Sequence, residues 1–206
     1  MSSGITTIYG RDGMQSDTRD KIIETGADII HRKGFNHTGI QEILNAANVP
    51  KGSFYNYFKS KDDFGLQIID YFSAHFKRIA SETLEDTRVS PRSRIYAFLT
   101  AFMEYFDSQN YAGGCPIGNL AQEMGDLSPV FREKLGEAVD MMVDAYKQVL
   151  TAAQNDGKIS KNLDIQDTAG FIVAGWHGAI IQMKLTQSLA PLKKHRRFVF
   201  DHILKK

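Results

Sequence analysis

Lys51-Gly52-Ser53-Phe54-Tyr55-Asn56-Tyr57-Phe58-Lys59-Ser60-Lys61-Asp62-Asp63-Phe64 is the stretch that decides the reading of this chain. Pro50, just before it, suits the first turn of a helix. Phe54 and Phe58 stand four apart, the spacing that sets two rings on one helical face, and they point to a core. Lys51, Ser53, Tyr55, Asn56 and Tyr57 are left around the other faces. A short helix turned to water usually carries Lys and Glu. Tyr and Asn in excess suit phosphates and base edges instead. Ser60-Lys61-Asp62-Asp63 then reads as the capped start of another helix. Its free amides, together with Lys61, suit a backbone phosphate.

Upstream, Ile22, Ile23, Ala27 and Ile30 recur at helical spacing and mark one apolar face. Gly34 follows where a left-handed cap is wanted, and Phe35 is placed to fold back on it. Thr38-Gly39-Ile40-Gln41 fits a capping box, with the Thr38 hydroxyl accepting from the Gln41 amide. Ile43, Leu44 and Ala47 continue that helix. Asn48 then tolerates a left-handed turn. Helix, helix, tight turn, helix and a long connecting helix is the helix-turn-helix arrangement, whose third helix enters the major groove.

Residues 18–64 resemble the DNA-binding domain of the TetR/AcrR repressor family. The matching string is Thr18-Arg19, Ile22-Ile23, Gly34-Phe35, Thr38, Ile40, Ile43, Ala47, Val49, Lys51 to Tyr55, Tyr57-Phe58, Ser60 to Asp62 and Phe64. The chain departs from the family pattern at Gly26 and Gly39, two glycines expected to cost local helix stability. The resemblance implies that Thr38, Tyr57 and Lys61 bind phosphates. It places Gln41, Lys51, Ser53 and Tyr55 in or near the groove, with Gly52 letting the backbone approach closely. Asn56 shares the outward surface. The implied target is a palindromic operator in double-stranded DNA.

The rest of the sequence agrees with an all-α chain of about nine helices, read near 17–33, 39–46, 50–56, 60–87, 91–108, 116–124, 128–155, 164–187 and 191–204. No alternating strand pattern persists. The organisation expected is an arm over 1–15, a three-helix DNA-binding domain over 16–62, and a helical ligand-sensing and dimerisation domain over 63–206. The net charge of +1 does not announce a nucleic-acid binder, but a local basic patch suffices. One cysteine and six scattered histidines rule out an internal disulfide and give no metal-binding spacing. Neither a metal nor a cofactor is expected. No apolar run is long enough for a membrane span and the N-terminus lacks a signal core, so a cytoplasmic protein is expected.

Gly170, Ala174 and Gly178 form a stripe of small residues that lets another helix approach. With Phe198 on the last helix they form a candidate homodimer surface, and Trp176 beside them a candidate anchor. Phe102, Tyr105, Phe106, Met142, Tyr146 and Trp176, with Phe98, Met141, Phe171 and Met183, give an interior rich in rings and sulfur. That interior reads either as plain core or as a pocket for an apolar effector.

Gly113-Gly114-Cys115-Pro116 places a thiol at a helix start, where the helix dipole favours the thiolate. This stretch and Trp176-His177-Gly178-Ala179 resemble a subgroup of the family that includes electrophile-responsive repressors. Lys184 is a candidate source of positive charge, and His177 belongs to the same candidate sensing set. Cys115 reads equally as a structural cysteine. A thiol enzyme using Cys115 and His177 lacks an orienting third group, so catalysis is not expected. A ligand-independent architectural binder or an activator would fit the front domain as well as a repressor.

Overall fold

The computed structural model describes residues 18–205, and the expected arm over 1–15 lies outside them. Among the described residues there are nine α-helices and no strand. α1 (Thr18–Lys33) ends at Gly34, whose φ of +89° is the left-handed stop that its position calls for. α2 (Ile40–Ala47) ends at Asn48, also left-handed at φ 52°. A 3₁₀ turn over Lys51–Ser53 leads into α3 (Phe54–Tyr57). Pro50, with φ −58°, fixes the entry to this turn.

α4 (Lys61–Thr83) starts on a reciprocal cap: Asp63 N donates to Ser60 Oγ at 3.0 Å, and the Asp63 carboxylate accepts from Lys59 N at 2.9 Å. α5 (Pro91–Ser108) is capped by Ser90, whose hydroxyl accepts from Ser93 N, with Pro91 at its first position. α6 (Pro116–Met124) and α7 (Pro129–Asn155) also open on proline. α8 (Ile165–Thr186) is capped by Asp164. α9 (Ala190–Phe198) continues as one π-helical turn over Val199–Ile203.

The chain forms two compact units. One contains residues 18–75 and 116–138, the other 76–115 and 139–205. In the first, Ile22, Ile43, Leu44, Phe54, Phe58 and Phe64 are fully buried. The packing thus draws the front unit more widely than residues 16–62, because α6 and the start of α7 pack with the front helices. Phe131 of α7 tilts against Phe35 with ring centroids 5.0 Å apart. In the second, α8 lies along α9, and Arg92 of α5 donates to the carbonyls of Leu204 and Phe200, fastening the final turn.

The capping box expected at Thr38 does not form. Gly39 is the cap residue of α2, with no side-chain bond to the helix. Thr38 sits one residue outside, is 1% exposed, and donates its hydroxyl proton to Gly34 O at 2.7 Å. Gln41 Nε2 donates to Asn45 Oδ1 instead of reaching back. Gly26 has a packing role beside its expected cost to helix stability. A Cβ there would stand 2.4 Å from Phe64 Cζ, so the ring occupies the space an alanine would need.

Candidate nucleic-acid interface and sensing core

The front unit presents a small polar surface on a rigid aromatic base. Phe54 packs on Phe58 at 4.9 Å and on Phe64 at 5.5 Å, and Phe58 meets Phe64 edge-on at 4.9 Å. With Phe54 and Phe58 turned inward, the residue between Phe54 and Asn56 must face out, and Tyr55 is 65% exposed. Lys51, Gly52 and Asn56 are also exposed, while Ser53, Tyr57 and Lys61 are half-buried. Gln41 of α2 is exposed. No atom comes within 4 Å of a Cβ built at Gly52, so the backbone there is open to a ligand. The Lys61 ammonium stands 4.6 Å from the centroid of the Phe35 ring, which holds its stem beside the α1–α2 connection. Thr38 is the exception among the nine expected contacts. Its single hydroxyl proton is spent on Gly34, and a phosphate oxygen needs a donor.

In the other unit, Phe98 is the hub of the aromatic cluster. It meets Phe76 at 5.4 Å, Phe102 at 5.0 Å and Tyr146 at 5.6 Å. Phe102 faces Phe106 at 6.3 Å, and Tyr105 faces Phe106 at 5.6 Å. The structure therefore brings Phe102, Tyr105, Phe106 and Tyr146 into one group, with Met142 buried on the same helix as Tyr146. Phe76 belongs to this group and went unread in the sequence, because it lies on the long α4. Among the described residues the buried Tyr146 hydroxyl has no hydrogen-bond partner, and burial pushes its pKa far up. A buried hydroxyl left unmatched is costly. A separate half-open cleft of about 220 Å³ is lined by Ala80, Leu84, Glu85, Thr87, Arg94, Ala145, Gln148 and Val149.

Trp176 does not join the cluster. It is 8% exposed and packs against His195 at 5.6 Å, so it joins α8 to α9 within one chain. Burial pushes both His177 and His195 below the usual imidazole range. Lys184 is exposed on the last turn of α8. Cys115 is half-buried, immediately before the first residue of α6. Phe171, expected in the interior, is 56% exposed. The reason is register: Phe171, Ala174, Gly178, Ile181 and Leu185 recur three and four apart along one outward face of α8, a spacing that presents a continuous seam. Ile181 is 46% and Leu185 80% exposed, and Phe198 of α9 is 50% exposed. Cβ atoms at Gly170 and Gly178 would meet nothing within 4 Å.

A helix-turn-helix whose third helix turns Tyr, Lys and Asn outward, followed by a larger helical region, defines a DNA-binding transcriptional regulator. Two family models match: the bacterial regulatory proteins of the tetR family over residues 22–68, and the tetracyclin repressor-like C-terminal domain over residues 91–199. The chain is 35% identical to the HTH-type transcriptional repressor DhaR of Mycobacterium sp. strain GP1, across 92% of this chain and 94% of that one. It is 34% identical to the transcriptional regulator AcuR of Cereibacter sphaeroides, across 89% and 84%. A crystal structure of a regulatory protein TetR from Rhodobacter sphaeroides superposes with a TM-score of 0.85 at 34% identity, covering 91% of this chain and 99% of that one. The reduced form of Escherichia coli NemR superposes with a TM-score of 0.80 at 27% identity, covering 92% and 98%. The chain belongs to the TetR family of transcriptional regulators, and it is a DNA-binding repressor of that kind. No helix among the described residues is long and apolar enough to cross a membrane.

Proposed function

We propose that the protein is a homodimeric repressor acting in the cytoplasm, released from a palindromic operator when a small apolar or electrophilic effector acts on its larger helical unit. The observation that carries this reading is the outward surface at Lys51–Tyr57. Tyr55 is exposed there although it sits between buried aromatic anchors. Lys51, Ser53, Tyr55 and Asn56 meet the groove, Gln41 lies beside them, and Tyr57 and Lys61 hold phosphates. The apolar seam of Phe171, Ala174, Gly178, Ile181 and Leu185, with Phe198, supports the dimer. Phe171, Ile181, Leu185 and Phe198 are exposed among the described residues, and a two-fold axis through this face pairs two recognition helices.

Two routes of release are supported by different observations. The cluster around Phe98 is apolar and holds one unmatched hydroxyl, which suits a neutral aromatic or aliphatic molecule with a hydrogen-bond acceptor. Cys115 at the start of α6 suits an electrophile. Addition to an activated alkene forms a sulfur–carbon bond, and the thiol proton ends on the adjacent carbon. That a related repressor has been crystallised in what is named its reduced form favours keeping this second route. The test is anisotropy titration of a duplex enriched from the source genome, with and without N-ethylmaleimide. Release of the wild type but not of Cys115→Ser supports the thiol route. Release of neither restricts the reading to a reversible ligand.

A further inference from the structure

The α1–α2 connection is held by one carboxylate of another helix. α1 ends at Lys33, and the amides of Phe35 and Asn36 lie in the turn between α1 and α2, outside either helix's ladder, so each needs an acceptor. Glu123, near the end of α6, takes two of them: Phe35 N donates to Oε2 at 2.8 Å and Asn36 N to Oε1 at 2.7 Å. Asn36 Nδ2 also donates to the Met124 sulfur at 3.4 Å. A Cβ at Gly34 would stand 2.9 Å from Glu123 Oε2, so glycine there serves both the left-handed turn and the approach of the carboxylate. Phe35 packs between this contact and Phe131, and Lys61 lies over its ring. All of these residues belong to the same compact unit.

We propose that Glu123 is a positioning residue for DNA binding. Its two charge-assisted bonds fix the connection that sets the start of α2 and seats Lys61, and through these the surface at Lys51–Tyr57. The proposal rests on the DNA-binding reading above. A carboxylate bonded to two amides does what two neutral acceptors on separate side chains would do less tightly.

The test uses Glu123→Gln and Glu123→Ala in the full chain, with a duplex selected from random-sequence DNA on the wild-type protein. Amide exchange at Phe35 and Asn36 is read beside affinity. Exchange at those two amides is expected to accelerate, and affinity to fall about tenfold, with sedimentation unchanged. Faster exchange with wild-type affinity would overturn the proposal. So would weaker affinity with unaltered exchange at 35 and 36. Should the alanine variant fail to fold, the glutamine variant decides alone, since it keeps the shape and aims an NH₂ at a backbone N–H. A wild-type protein that enriches no duplex would overturn the DNA-binding reading and this proposal with it.

Discussion

The Phe54 and Phe58 rings lie tilted against each other with centroids 4.9 Å apart, and with both turned inward Tyr55 is left exposed, its ring edge-on to Phe54. The outward surface proposed for DNA therefore rests on a buried side chain. Phe54→Ala should cost about 3–5 kcal/mol in urea unfolding. A loss below about 1 kcal/mol would show that the aromatic base is not what holds this helix.

Lys51 is exposed, and the proposed function sets it against DNA. Lys51→Ala should weaken binding and lower the slope of log affinity against log salt by about one. Thermal unfolding should stay where it is in the wild type. An unchanged salt slope would remove Lys51 from the interface.

The outward seam of α8 predicts the assembly state. Phe171→Glu with Leu185→Glu places charge on an apolar face that a partner would bury. The doubly substituted chain should sediment as a monomer at micromolar concentration while keeping its helical circular dichroism. A wild-type-like dimer would move the interface elsewhere.

Gly26 and Gly65 are packed against rings rather than left open. A Cβ at Gly65 would stand 2.5 Å from Phe131 Cζ and 2.6 Å from Phe35 Cε2. Either Gly26→Ala or Gly65→Ala should destabilise by about 1–3 kcal/mol, although alanine is the better helix former. Stabilisation in denaturant titrations would show that the rings yield easily.

Burial lowers the pKa of His195 and of His177. The unfolded chain, with imidazoles near about 6.5, binds more protons than the folded one just below that value. Their stabilising contribution is therefore complete above about pH 6.5 and is lost as pH falls toward the lower folded values. The urea midpoint should drop between about pH 7.5 and 5.5, and His195→Gln should flatten that drop. An equally steep drop in the variant would assign the effect to other groups.

The starts of α5 and α6 were legible because capping and proline signals are local: they begin where Ser90-Pro91 and Cys115-Pro116 place them, whereas the helix read near 60–87 stops at Thr83 and the one read near 50–56 opens as a 3₁₀ turn. The surface at Lys51–Tyr57 was legible because Phe54 and Phe58 leave only one way for it to face. Thr38 misled because a capping hydroxyl and an inward strut share one sequence, and a one-residue shift separates them. Phe171 misled because an apolar residue on an exposed helix face looks, in sequence, like a core residue. Glu123 gave no signal, since its partners are backbone amides nearly ninety residues away. The aromatic group was legible in part, as Phe102, Tyr105, Phe106 and Tyr146, while Trp176 turned out to belong to the α8–α9 contact.

In the proposed function, two copies of the Lys51–Tyr57 surface read two half-sites. Footprinting of the protein on genomic fragments it enriches tests this most directly. A protected palindrome with half-sites about one helical turn apart, or a multiple of it, is expected. Protection should vanish for the variant carrying both Lys51→Ala and Tyr55→Ala. A single unpaired half-site, or protection that survives in that variant, would contradict it.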